Sequence, residues 1–137
     1  MRPLTVALVD DDGLLNFTFR LMMSQLPMEV SLLNFSNAEE ALDYLTVHKE
    51  DAKTLTHYIF LDLSMPRMGG WEFYQIFSET ASKFIKEIAL YIISSSVDKR
   101  DRERAVASKS VRDYLTKPVD LSQIQRILNG DCKPQVT

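Results

Sequence analysis

Five short apolar runs are spaced along the chain, separated by stretches whose apolar residues recur every three or four positions. Val6-Ala7-Leu8-Val9, Tyr58-Ile59-Phe60-Leu61 and the run from Ile88 to Ile93 are continuous rather than alternating. Runs of that kind and length read as strands covered on both faces. Val30 to Phe35 is interrupted by Ser31 and Asn34 and reads as an edge strand, and Val111 to Leu115 as a short last one. Between the strands, Leu15, Phe19, Met22 and Leu26 form a helical stripe that Pro27 ends. Ala38, Ala41, Leu42 and Leu45 form another, with Ser36 as N-cap and Glu39 reaching back to complete a capping box. Phe73, Ile76, Phe77 and Ala81 share one side of a third helix. Asp98 to Ser108 is charged almost throughout, with Ala105, Val106 and Ala107 as its main apolar content, so that helix has a thin buried face and a loose hold. Leu121, Ile124 and Leu128 mark the last helix, and Gly130 stands just past its end.

Strand and helix therefore alternate five times. That pattern predicts an α/β domain with right-handed crossovers and a parallel sheet covered on both faces. A single domain over residues 1–130, followed by a tail at 131–137, accounts for the whole chain of 137 residues.

Composition narrows the class. A hydrophobic fraction of 45%, a charged fraction of 26% and a net charge of −3 are ordinary for a globular protein and offer no broad basic surface for nucleic acid. The single cysteine, Cys132, excludes a disulfide framework within the chain and fits a reducing compartment. No stretch approaches the ~18 consecutive apolar residues of a membrane span. The expectation is a soluble, cytoplasmic protein.

The chemistry gathers at the strand ends. In a parallel sheet the carboxyl ends of all strands point one way, and ligands bind along that edge. It collects Asp10 and Asp11 after the first strand, Asp62 after the third, Ser94 after the fourth and Lys117 after the fifth. Two carboxylates about 6 Å apart at an effective dielectric near 20 repel by roughly 2–3 kcal/mol. A hard divalent cation with oxygen ligands removes that cost, and Mg²⁺ suits a few carboxylates plus waters and a phosphate oxygen. A lysine ammonium and a serine hydroxyl nearby suit the same phosphoryl oxygens. Together these groups describe a phosphoryl-transfer site, at which a carboxylate can itself be the nucleophile and form an aspartyl phosphate. The chain has no P-loop or glycine-rich nucleotide motif, which argues against ATP as the direct substrate.

Taken singly, each residue has a plainer reading. Asp10-Asp11-Asp12 makes a solvated turn and N-cap, Asp62 starts a turn before Met65-Pro66, and Ser94-Ser95-Ser96 is loop. Tyr114 packs, Trp71 packs at a helix start, and His48 and His57 lie on the surface. The conjunction favours the chemical reading.

Val9-Asp10-Asp11-Asp12, Asp62-Leu63-Ser64-Met65-Pro66-Arg67-Met68-Gly69-Gly70, Ile93-Ser94-Ser95 and Tyr114-Leu115-Thr116-Lys117-Pro118 together resemble the response-regulator receiver family of two-component signalling. The resemblance runs from about residue 4 to 128. It implies a flavodoxin-like (βα)5 doubly wound sheet of strand order 2-1-3-4-5. It implies Asp62 as phosphoacceptor, Asp11 and Asp10 as Mg²⁺ ligands with the Ser64 backbone carbonyl, and Ser94 and Lys117 as phosphoryl contacts. It further implies Ser94 and Tyr114 as switch residues, a cis bond before Pro118, and Ser64 and Ser96 at positions that tune phosphoryl lifetime. The donor would be a histidine kinase or histidine phosphotransfer protein, and the output would pass to a downstream protein target without direct nucleic-acid contact or membrane insertion. Such a domain is no conventional enzyme, since it catalyses only its own phosphorylation and dephosphorylation. Gly69 stands where the family often has Asp or Asn, and Asp12 adds a third consecutive acid.

Two rivals are distinguishable. A receiver-like interaction module working without phosphorylation usually loses the acids or the lysine, and this chain keeps both. A phosphatase with an aspartyl nucleophile wants a second Asp two residues on, where Ser64 stands.

Overall fold

The computed structural model describes residues 4–63, 69–95 and 99–130. Its elements alternate along the chain as β1 (Leu4–Val9), α1 (Gly13–Ser24), β2 (Val30–Phe35), α2 (Ala38–Val47) and β3 (Tyr58–Asp62). They continue as α3 (Gly70–Thr80), β4 (Ala89–Ser94), α4 (Lys99–Ala107), β5 (Val111–Thr116) and α5 (Leu121–Leu128). The strands form one parallel sheet in the order β2-β1-β3-β4-β5. This is the doubly wound flavodoxin-like arrangement expected from the sequence.

The continuous apolar runs are explained by burial on both faces. Val6, Leu8, Phe60, Tyr91 and Ile93 face α1 and α5, where Phe19, Met22, Ile124 and Ile127 cover them. The intervening Ala7, Val9, Ile59, Leu61 and Leu90 face α2 and α3, against Ala41, Leu45, Phe73 and Phe77. Each fully buried Leu, Ile or Phe contributes about 1.5–3 kcal/mol, so the central strands hold most of the fold's stability. Strand β2 is half-buried except at the exposed Ser31, as its polar interruptions predict for an edge.

Register aligns the strand ends. Val9 lies opposite Phe35 and Leu61, Asp62 opposite Ile93, and Ser94 opposite Thr116. The residues immediately beyond therefore share one edge.

Local differences from the sequence reading have physical causes. Asn37 rather than Ser36 caps α2, accepting the Glu40 N–H at 2.8 Å, while the Glu40 carboxylate accepts the Ser36 N–H at 3.2 Å. Ser and Asn cap almost equally well, so residue type alone does not choose between adjacent positions. In α3, Ile76 is exposed, because Gly70, Phe73 and Phe77 make the buried stripe; Ala81 begins a separate 3₁₀ turn. Helix α1 carries a second apolar stripe, Leu14, Phe17 and Leu21, that faces outward. The histidines are more engaged than surface residues. His57 Nδ1 accepts the Thr5 N–H at 3.0 Å, and His48 stacks on Tyr44 while its Nδ1 lies 2.7 Å from Thr54 Oγ1.

Candidate functional site

The three consecutive acids after β1 divide their work. Asp10 turns inward and is 2% exposed, with its Oδ1 accepting the Asp12 N–H at 2.8 Å. Asp12 is the N-cap of α1: its Oδ1 accepts the Leu14 N–H at 2.9 Å and its carbonyl accepts the Asn16 N–H at 3.1 Å. Asp11 remains exposed beside them. The plain capping role thus belongs to Asp12, and the first two acids are left for the sheet edge.

Asp62 closes β3 and is buried, as is Ser94 at the end of β4. Carboxylate oxygens of Asp10, Asp11 and Asp62 all lie within 4.8 Å of one another. Lys117 reaches over them from the end of β5, its Nζ 3.6 Å from Asp62 Oδ2 and 4.0 Å from Asp10 Oδ2. Its backbone is fixed from below, where the Lys117 N–H donates to the Ser94 carbonyl at 2.9 Å. The Lys117–Pro118 bond is cis, as expected.

Three carboxylates face one ammonium, so negative charge is left over. Burial, with the Asp62 charge adding to it, pushes the Asp10 carboxyl up to about 7, against the opposing pull of the Asp12 N–H and Lys117. Asp10 Oδ2 is buried and accepts no hydrogen bond. A buried carboxylate oxygen with no hydrogen bond, 4.0 Å from the Lys117 ammonium and among clustered carboxylates, is what a hard divalent cation satisfies, so the residues fit Mg²⁺.

The sheet edge thus brings together Asp10, Asp11, Asp62, Ser94 and Lys117, as the strand ends predict. Ser64, its carbonyl ligand role and Ser96 lie outside the described residues. Tyr114 is 6% exposed and packs with Ile92 and Ala105, with the Arg102 guanidinium 5.1 Å from its ring centre. Its packing role is real, whatever else it does.

Two contributors escape sequence reading. A Cβ on Gly70 would fall 2.7 Å from Leu63 Cα and 2.9 Å from the Asp62 carbonyl oxygen, so α3 abuts the acceptor strand only because this residue is glycine. At Gly69, the α3 N-cap, a Cβ would meet only Glu72 Oε1, at an ordinary 4.0 Å. Trp71 crosses to α4, its Nε1–H donating to Asp101 Oδ1 at 3.3 Å. A Gly-Trp pair just after a strand-end acid is the one signal the sequence offers for either.

Comparison with known proteins agrees with the geometry. The family model described as "Response regulator receiver domain" matches residues 6–129. The chain is 26% identical over 125 residues to the probable methanogenesis regulatory protein FilR2 of Methanothrix harundinacea, covering 90% of this chain and 78% of that protein. It is 27% identical over 141 residues to probable histidine kinase 2 of Oryza sativa subsp. indica, covering 96% of this chain but only 13% of that protein. The crystal structure of a two-component response regulator from Cytophaga hutchinsonii superposes with a TM-score of 0.84 at 25% identity, covering 95% of this chain and 97% of that one. Fold, strand-end chemistry and a family match spanning almost the full length point the same way, and the chain belongs to the response regulator receiver domain family.

Proposed function

We propose that Asp62 accepts a phosphoryl group from a histidine kinase or histidine phosphotransfer protein, in a Mg²⁺-dependent reaction that switches a protein-binding surface. The observation that carries this reading is the buried Asp62 carboxylate, with Lys117 Nζ 3.6 Å away and the Asp10 and Asp11 oxygens within 4.8 Å. An Asp62 oxygen attacks phosphorus, a new O–P bond forms, and the P–N bond to the donor imidazole breaks; the imidazole leaves with its electron pair and takes a proton from solvent. Lys117 holds charge on the incoming phosphoryl oxygens, and the Ser94 hydroxyl donates to them. Asp10, Asp11 and Asp62, with the Ser64 carbonyl, would hold Mg²⁺, which when bound offsets the negative charge gathered on carboxylates and phosphoryl group.

After transfer, Ser94 turns toward the new oxygens and Tyr114 responds, biasing the surface formed by α4, β5 and α5. In this reading the domain acts as a receiver in the cytoplasm, and the output passes to a downstream protein. Among the described residues no helix is long and apolar enough to cross a membrane, which is compatible with that setting.

The test is acetyl phosphate with Mg²⁺, read by intact mass. Wild type gains one phosphoryl group and Asp62→Ala gains none. An undiminished gain in Asp62→Ala overturns the acceptor assignment.

A further inference from the structure

Helix α4 is short of apolar anchorage. Of Lys99–Ala107 only Ala105 is buried, and Val106 is 80% exposed. A nine-residue helix is too short to persist on propensity alone, and one buried alanine adds little. Beside the Arg102 hydrogen bond to Thr116 Oγ1 at 3.3 Å, it is held by two aromatic side chains on neighbouring elements. From β5, Tyr114 packs against Ala105 and lies under the Arg102 guanidinium. From α3, the Trp71 indole donates to Asp101 and lies 4.3 Å from the Arg104 guanidinium, with Tyr74 packed edge-on at 5.9 Å. Asp101 and Arg104 are three residues apart, so they share one helix face and grip the indole together.

The position of Trp71 gives this grip a second meaning. It follows Gly70, whose backbone sits directly against Asp62 and Leu63 and whose N–H donates to the Leu63 carbonyl at 3.3 Å. Leu63 and Trp71 each pack against the cluster of Ile92, Ala105 and Tyr114. A displacement of the strand end at Asp62 is therefore passed to the start of α3 one residue before the indole. No loop between the elements is needed for it.

We propose that Trp71 is a positioning residue that tethers α4 to the acceptor strand through Asp101 and Arg104, along a route separate from Tyr114. The holding role rests on the contacts alone. The transmitting role rests on the phosphoacceptor reading of Asp62.

Hydrogen exchange of the full chain, read on peptides covering 99–107, separates the two. Trp71→Phe keeps an aromatic body but loses the indole N–H and weakens the cation–π contact; Arg104→Ala removes the partner from an exposed position and leaves the core intact. In the unphosphorylated protein both variants exchange about fivefold faster than wild type across α4, with β1 and β3 unchanged. Rates within about twofold of wild type in both variants overturn the tether. With acetyl phosphate and Mg²⁺, wild-type α4 exchange shifts, and the shift is lost in Trp71→Phe although the mass gain on Asp62 persists. A shift of full size in Trp71→Phe overturns the transmitting role. If wild type gains no phosphoryl group, the acceptor reading and the transmitting role built on it fail, and the holding role is decided by the unphosphorylated comparison.

Discussion

At the scale of single residues, Asp10 makes stability depend on pH. Its carboxyl sits near its ordinary value of 3.8 in the unfolded chain and about 7 in the fold. Between those values the folded state holds a proton that the unfolded state has lost, so stability falls as pH rises from about 4 to about 7. In buffer with a chelator, thermal melts across that range should show this decline. Asp10→Asn should flatten it and raise Tm at neutral pH, and a variant melting with the wild-type slope would contradict the assignment. The acid side has the opposite sign. Asp51 and Asp120 are held below the usual carboxylate range by backbone N–H donors from Lys53 and Gln123, and their contribution is lost as pH falls through their folded values. The sequence placed Asp10, Asp62, Ser94 and Lys117 at one edge because each follows an apolar run. It left open how three consecutive acids share their work, since that depends on which carboxylate turns inward and which caps a helix.

At the scale of elements, the contact of α3 with the acceptor strand hangs on one missing methyl group. Gly70→Ala drives a carbon into the backbone of Asp62 and Leu63, where nothing flexible is available to yield except the Leu63 tip. The expected cost is about 1–3 kcal/mol by denaturant melting. Gly69→Ala, whose Cβ would meet only the Glu72 carboxylate at 4.0 Å, should stay within roughly 0.5 kcal/mol of wild type. Equal losses at both glycines would remove the close approach as the cause. Two adjacent glycines look alike in sequence, and only the packing tells them apart. Strand positions were legible because burial on both faces leaves an uninterrupted apolar run. The cap of α2 and the outward turn of Ile76 were not, because neighbouring residues compete on nearly equal terms.

At the scale of the molecule, strand order and direction followed from the alternation of elements together with the family motifs, and the register then delivered the site. What pattern alone does not encode is which helices touch through side chains, as Trp71 shows. The gathered carboxylates make the fold a better receptor for a divalent cation than the unfolded chain. Free Mg²⁺ at a hundred times its dissociation constant should stabilise the protein by about 2.7 kcal/mol and raise Tm by several degrees. Asp11→Ala, at an exposed position, should lose most of that shift while melting normally without metal. An undiminished shift would move the ion elsewhere.

Asp12 extends that linkage beyond the acids themselves. Its backbone N–H steadies Asp10, while its side chain and carbonyl secure the first turn of α1. Fraying of that turn and loosening of the buried carboxylate thus share one residue. An ion held at the sheet edge should therefore slow opening of the helix beside it, read as slower exchange of the Leu14 and Asn16 amides with Mg²⁺ than with chelator.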